Sequence, residues 1–248
     1  MSQSNKPRVV ALVQARMTST RLPGKVMLNL AGRPMLQWVF DRLAQCRTLD
    51  EVCLATTDQP SEDVLAEYAA HRGWPCFRGS LEDVLDRYYH AAAARRADVV
   101  VRVTSDCPLI DPATVDAVVE AFLVRQPDVD YASNIIPQRT FPRGLDVEVF
   151  RRAALETAWR EDGNPAWREH VTTYIIRHPE QFRFWCLVNE KDCSHHRWTV
   201  DTPEDFALAE RLLNTLGNER FSWRSALELI EANPDWQALN AGVVQKTV

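Results

Sequence analysis

An α/β fold built on a mainly parallel sheet follows from two features of the sequence. Short β-rich runs alternate with helix-patterned ones through the first half of the chain, which implies crossover connections between neighbouring strands. The length, 248 residues with 46% hydrophobic content, suits one large α/β domain with a full core. No repeat, low-complexity tract or interdomain linker divides it, so residues 1–248 are expected to form a single domain.

The elements follow in order. Val9-Val10-Ala11-Leu12-Val13 reads as the first strand, and a helical pattern occupies 35–44. A strand at 51–55 precedes a helix at 63–71, and the most strand-like run, 98–103, precedes a helix at 113–124. Another helix lies between 83 and 96, where the patch Ala91-Ala92-Ala93-Ala94 suits close packing on the sheet. After Tyr131 the rhythm breaks into Pro137, Phe141-Pro142-Arg143-Gly144, a short strand near 147–150 and helical stretches at 153–160 and 166–177. This segment, about 131–196, reads as an excursion from the sheet. A strand over 182–188 and an apolar run ending at Trp198-Thr199-Val200 then lead into a helix over 204–213.

Composition narrows the function. Twenty-nine basic against thirty-four acidic residues give a net charge of -5, so no global basic field gathers nucleic acid or an anionic membrane. Any anion must be held by a local cluster. The polar start, Met1-Ser2-Gln3-Ser4-Asn5-Lys6-Pro7, is not followed by the apolar h-region of a signal peptide, and no stretch is long and apolar enough to span a bilayer. A soluble cytoplasmic protein is expected. The six cysteines, at 46, 53, 76, 107, 186 and 193, lack CxxC spacing and read as buried free thiols.

Ligands of open parallel sheets bind outside the carboxyl ends of strands, and the loop Gln14-Ala15-Arg16-Met17-Thr18-Ser19-Thr20-Arg21-Leu22-Pro23-Gly24-Lys25 occupies such a place. Arg16, Arg21 and Lys25 offer charge-assisted bonds to phosphate oxygens, and Thr18, Ser19 and Thr20 add neutral donors. A solvated basic loop would have the same composition. Neither GxxxxGK[ST] nor GxGxxG occurs, which argues against a P-loop ATPase and a dinucleotide-dependent dehydrogenase.

Two aspartates remain once helix capping is assigned. Asp106 ends the strand-like run in Thr104-Ser105-Asp106-Cys107-Pro108, while Asp111 before Pro112 already caps the next helix. In Val200-Asp201-Thr202-Pro203-Glu204-Asp205, Thr202 is the natural N-cap, Pro203 stands at N1 and Asp205 is its capping-box partner, so Asp201 is surplus. Two surplus carboxylates with a cationic loop suit a magnesium ion held by one or two carboxylates and substrate phosphates. Asp128-Val129-Asp130 is a competing acidic motif, but it begins a strand. Cys193, His195 and His196 lack the paired spacing of a zinc site. His170, in Arg168-Glu169-His170-Val171-Thr172, reads by position alone as an ordinary helix histidine satisfied by Glu169 or a carbonyl.

Taken together, the 14–25 loop, Arg102-Val103-Thr104-Ser105-Asp106-Cys107-Pro108-Leu109-Ile110-Asp111 and Val200-Asp201-Thr202-Pro203-Glu204-Asp205 resemble the sugar-acid cytidylyltransferases, in the branch named for the spore coat polysaccharide biosynthesis protein F. Phe77-Arg78-Gly79-Ser80-Leu81-Glu82-Asp83-Val84-Leu85-Asp86-Arg87-Tyr88-Tyr89 and Phe141-Pro142-Arg143-Gly144-Leu145-Asp146-Val147-Glu148 add to the resemblance, which spans about 9–206. It implies a Rossmann-like nucleotide-diphospho-sugar transferase fold with helices on both faces of the sheet and an inserted arm often used for homodimerisation. The reaction it implies joins CTP to an acid sugar, giving a CMP-sugar and pyrophosphate for surface polysaccharide or glycan biosynthesis. By motif position, Arg16 and Lys25 would bind the triphosphate, Arg21 would support the loop, and Ala15 and Ser105 would lie near the nucleotide. Asp106 and Asp201 would hold Mg2+.

The acceptor side is less defined. Relatives that activate 3-deoxy-manno-octulosonate frame the aspartate as Gln-Gly-Asp-Glu-Pro, whereas this chain reads Thr104-Ser105-Asp106-Cys107-Pro108; sialic-acid relatives lack the Arg-Leu-Pro-Gly-Lys ending of the first loop. Arg143, Arg168 and His170 are candidate contacts to the carboxylate or phosphonate of an acceptor, or else supports of a dimer arm. Rival readings are a glycosyltransferase that uses Asp128 and Asp130 on a nucleotide sugar, and a non-catalytic nucleotide-binding relative.

Overall fold

A computed structural model describes residues 6–245. The apolar run at 9–13 gives β1 (Val9–Gln14), whose first five residues are buried, as a strand covered on both faces must be. An antiparallel ribbon of β2 (Asn29–Leu30) and β3 (Arg33–Pro34) leads into α1 (Met35–Leu43). Next come β4 (Glu51–Thr57), α2 (Asp63–Arg72), β5 (Cys76–Gly79), α3 (Val84–Ala94), β6 (Val99–Thr104) and α4 (Pro112–Val124). β7 (Tyr131–Ser133), β8 (Glu148–Arg151), α5 (Arg152–Glu161), α6 (Pro165–Arg168), α7 (Thr173–Arg177) and β9 (Phe184–Cys186) follow. The last elements are α8 (Pro203–Leu216), α9 (Trp223–Ala232) and α10 (Pro234–Ala238).

Seven strands of the described residues form one sheet in the order β5-β4-β1-β6-β8-β7-β9. β5, β4, β1 and β6 run parallel, β8 is antiparallel to both its neighbours, and β9 is parallel to β7. From β1 the chain builds outward through β4 and β5 and then returns to β6 on the other side. The order therefore reverses between β1 and β6, where Gln14 pairs with Thr104, and a crevice opens at such a switch point.

Strand alternation sends Val9, Ala11 and Val13 into one apolar layer, against α1, α4 and α8, and Val10 and Leu12 into the other, against α3 and α5. The expected helices on both faces are thus present. Within the alanine patch of α3, Ala91 and Ala92 pack into the second layer, whereas Ala93 and Ala94 face solvent.

Several elements differ from expectation. Segment 131–196, read as an excursion, contributes β7, β8 and β9 to the central sheet through pairings such as Tyr131 with Phe150 and Ala132 with Trp185. The helix expected over 166–177 is two short helices, separated where Val171 adopts φ 59°, a left-handed conformation that no continuous helix accommodates. The strand expected over 182–188 pairs only over Phe184–Cys186. The run ending at Val200 makes an isolated bridge, Arg143 with Arg197.

Candidate active site

The crevice beyond β1 and β6 is a cleft of about 310 Å³, within the size range of small-molecule sites. Its floor begins with the loop after β1. The Met17 amide donates to buried Glu62 at 2.8 Å, and the Gly24 amide donates back to the Met17 carbonyl at 3.0 Å. Gly24 has φ 66°, a left-handed value that glycine takes without a Cβ penalty. The loop folds back on itself there, and Lys25 begins a single 3-10 turn with its side chain directed inward.

Lys25, 9% exposed, is where the two surplus carboxylates meet. Its ammonium donates to Asp106 Oδ2 and Asp201 Oδ1, both at 2.9 Å, and to the Val200 carbonyl at 2.8 Å. Burial works to lower the Lys25 pKa, but the Asp106 and Asp201 carboxylates outweigh it and hold the pKa above the usual value. Asp201 is pulled the opposite way: burial works to raise its pKa, while Lys25, Arg197 and Arg21 bring it below the ordinary carboxylate range. Arg21 lies 3.0 Å and Arg197 2.8 Å from Asp201 Oδ2.

Local structure fixes both aspartates. Asp111 accepts from the Thr114 amide at 2.9 Å and caps α4, while Thr202 and Asp205 form a complete capping box on α8. Capping therefore leaves Asp106 and Asp201 free to face the cleft. The two segments are tied together by the Val200 amide, which donates to the Asp106 carbonyl at 2.8 Å. Gly144 backs this contact, since a Cβ there would lie 2.6 Å from the Thr199 nitrogen.

The cleft brings Ala15, Arg16, Arg21, Lys25, Ser105, Asp106, His170 and Asp201 together. Arg16 is half-exposed, with Glu169 at 3.9 Å as its ion-pair partner. Burial, with Arg102 adding to it, pushes the His170 pKa down against the opposing carboxylates Glu169 and Glu148, so the imidazole is neutral at neutral pH. Arg143 and Arg168 lie elsewhere. Arg168 donates to Asp83 at 2.8 Å and to the Trp159 and Asp162 carbonyls, pinning α6 to α3 and α5. Arg143 lines a second cavity with His195, His196 and Trp198.

The competing acidic motif has structural partners. Asp130, 2% exposed, accepts from the Arg183 amide at 2.8 Å and pairs with Arg151 and Arg183, joining β7, β8 and the approach to β9. Asp128 is largely solvated beside Arg183. Two further residues line the cleft: Gln14, at the end of β1, and Arg87, in the first turns of α3. Arg87 stands near the carboxyl end of β5, a strand too short to be read from periodicity, so its position was not signalled.

A cationic loop facing two convergent carboxylates across the switch point of a parallel sheet suits the phosphates of a nucleotide, and its family relationships make the chain a nucleotidyltransferase. The chain belongs to the cytidylyltransferase family, whose model matches residues 10–231. It is 31% identical to the spore coat polysaccharide biosynthesis protein SpsF of Bacillus subtilis over 92% of this chain and 95% of that one. A 3-deoxy-manno-octulosonate cytidylyltransferase of Trichlorobacter lovleyi is 36% identical over 118 residues, 47% of this chain and 45% of the relative. Among solved structures, a cytidylyltransferase from Leptospira borgpetersenii superposes with a TM-score of 0.89 at 35% identity, covering 98% of this chain and 99% of that one. The α/β fold and CTP-dependent nucleotidyl transfer expected from the sequence agree with these relationships. Among the described residues no helix is long and apolar enough to cross a membrane.

Proposed function

We propose that the protein transfers CMP from CTP to a hydroxyl of an acidic sugar, a nonulosonic or related acid, and releases pyrophosphate in surface polysaccharide or glycan biosynthesis. The observation that carries this reading is the Lys25 ammonium held between Asp106 and Asp201 at the floor of a cleft bordered by Arg16 and Arg21. An acceptor hydroxyl oxygen attacks the α-phosphorus as its proton passes to solvent, the bond from that phosphorus to the bridging oxygen breaks, and pyrophosphate leaves with the electron pair. Arg16, Arg21 and Lys25 stabilise the charge that gathers on the leaving group.

The donor set fits magnesium. Asp106 and Asp201 both reach the Lys25 ammonium at 2.9 Å, so the same two carboxylates would hold the ion together with substrate phosphates. When bound, the ion would neutralise phosphate charge that the cationic loop leaves uncompensated.

The octulosonate cytidylyltransferase relative supports a sugar acid as acceptor, and SpsF supports a place in polysaccharide biosynthesis. Of the three acceptor candidates, His170 faces the cleft, so the acceptor end is proposed beside His170 and Glu169. The test is pyrophosphate release from CTP over a panel of sugar acids and phosphonates, using the parent, Asp106→Asn and Asp201→Asn. Each substitution is expected to lower kcat by roughly a hundredfold or more. Undiminished release by both folded variants would sink the carboxylate assignment.

A further inference from the structure

A second cavity, of about 250 Å³, lies between α8, α9 and the segment 195–198, and it has no lining residue in common with the cleft. Leu208 of α8 and Ile230 of α9, both buried, give it an apolar wall. Arg143 and Arg197 give it charge.

The two cations differ in what holds them. Arg197, 8% exposed, is taken up by Asp205 and Asp201, both at 2.8 Å, and by Gln245. Arg143 has no ion pair and no side-chain hydrogen bond among the described residues. The carboxylate that acts on it through space, Asp146, is bound at both oxygens by Arg139, at 2.6 and 2.8 Å. Burial, with the guanidinium groups of Arg139 and Arg197 adding to it, pushes the Arg143 pKa down against Asp146. A cation without a counter-charge of its own is left in the cavity wall.

Trp198 lines the same cavity and is 2% exposed, yet its indole Nε1 is buried with no acceptor among the described residues. A buried donor left unmade is costly, so the site is built for something that supplies an acceptor. One free guanidinium matches one carboxylate, in a bidentate pair. A bare phosphate would set its remaining oxygens against Leu208 and Ile230, where nothing apolar compensates their loss of water.

We propose that this cavity is a binding site, separate from the nucleotide cleft, for a small carboxylic acid with a branched hydrocarbon body. The carboxylate pairs with Arg143, the Trp198 indole N–H supplies a second donor, and the hydrocarbon lies on Leu208 and Ile230. Arg197 stands in the wall of this cavity and holds Asp201 in the wall of the cleft, so the occupant sits one side chain away from the carboxylate pair.

The test is a titration of the isotope-labelled full chain with isocaproate, followed by NMR at the Trp198 indole N–H, which is assigned by its absence from Trp198→Phe. The parent is expected to show a saturable shift of that signal with a dissociation constant on the order of 1 mM. The corresponding alcohol lacks the charge and inorganic phosphate lacks the hydrocarbon, and each is expected to bind roughly tenfold more weakly. Arg143→Gln should lose roughly tenfold in affinity for the acid. Ala241→Phe, at an exposed position of the cavity lining, should block the acid and decides the matter if Arg143→Gln does not fold. An unmoved indole signal would overturn the proposal, as would a folded Arg143→Gln or Ala241→Phe protein that binds isocaproate as the parent does. Phosphate binding as tight as isocaproate binding would also overturn it, since the hydrocarbon would then contribute nothing.

Discussion

Lys25 is subject to two opposed electrostatic effects. Burial strips water from its ammonium, while two carboxylates at 2.9 Å replace that water with fixed negative charge, and the pKa directions say that the carboxylates win. The Lys25 pKa lies above its ordinary 10.5, so its stabilising contribution is complete below that pH and is lost as pH rises through the folded value. The Asp201 pKa lies below its ordinary 3.8, so its contribution is complete above that pH and is lost as pH falls through the folded value. Replacing Lys25 by Met leaves the carboxylates facing each other and is expected to cost about 3 kcal/mol near neutrality. Urea unfolding of parent and variant across pH checks this: the difference between them should be flat from about pH 4 to 10 and shrink at both edges. An unchanged difference at the alkaline edge would mean that Lys25 is not held by these acids. Asp106 and Asp201 were legible in the sequence because Asp111 and Asp205 visibly took the capping duties. That Gln14 and Arg87 line the same cleft was not, since it depends on how α3 packs against the end of β1.

At the scale of elements, the site depends on a backbone crossing with no room for a side chain. Gly144 has φ 102°, and an added Cβ would lie 2.6 Å from the Thr199 nitrogen and 2.7 Å from the Trp198 carbonyl carbon. Both atoms belong to the main chain, so neither can rotate away. Thr199 and Val200 also hold the Asp106 carbonyl, and any shift of that segment moves Asp201 relative to Asp106. Gly144→Ala is therefore expected to cost about 3 kcal/mol, from backbone strain and overpacking together, and to lower kcat. A urea midpoint and a pyrophosphate assay measure the two effects, and full activity in the variant would show that the crossing does not set the carboxylate geometry. The sequence motif Phe141-Pro142-Arg143-Gly144 marked a turn, but the partner strand lies more than fifty residues away, beyond local pattern. Length explains the other differences: β5 and β7 have four and three residues, too few for alternation to separate strand from loop, and β9 pairs over only three residues of the run expected. The parallel half was legible because its strands and helices are long enough to express their periods.

Across the whole molecule, a net charge of -5 coexists with a cleft whose cations are gathered on one loop and one helix. The cleft walls come from separate parts of the chain: the turn after β1, the end of β6, the segment before α8 and the Glu169-His170 turn. A nucleotide bridging them binds the assembled sheet and has no comparable partner in the unfolded chain, so its binding free energy adds directly to stability. At a hundredfold excess of CTP over its dissociation constant that addition is about 2.7 kcal/mol. For a chain of this size it corresponds to a rise in Tm of roughly 5–10 °C. The rise should shrink in 1 M salt, because half-exposed Arg16 meets solvent where screening is strong, and should persist in part through the buried Lys25. Thermal melts with and without CTP and magnesium chloride, at low and high salt, provide the measurement. Because the wall at Asp201 lies in the segment leading to α8, Asp201→Asn should reduce the rise. An equal rise in that variant would place the nucleotide away from the junction of β1, β6 and α8.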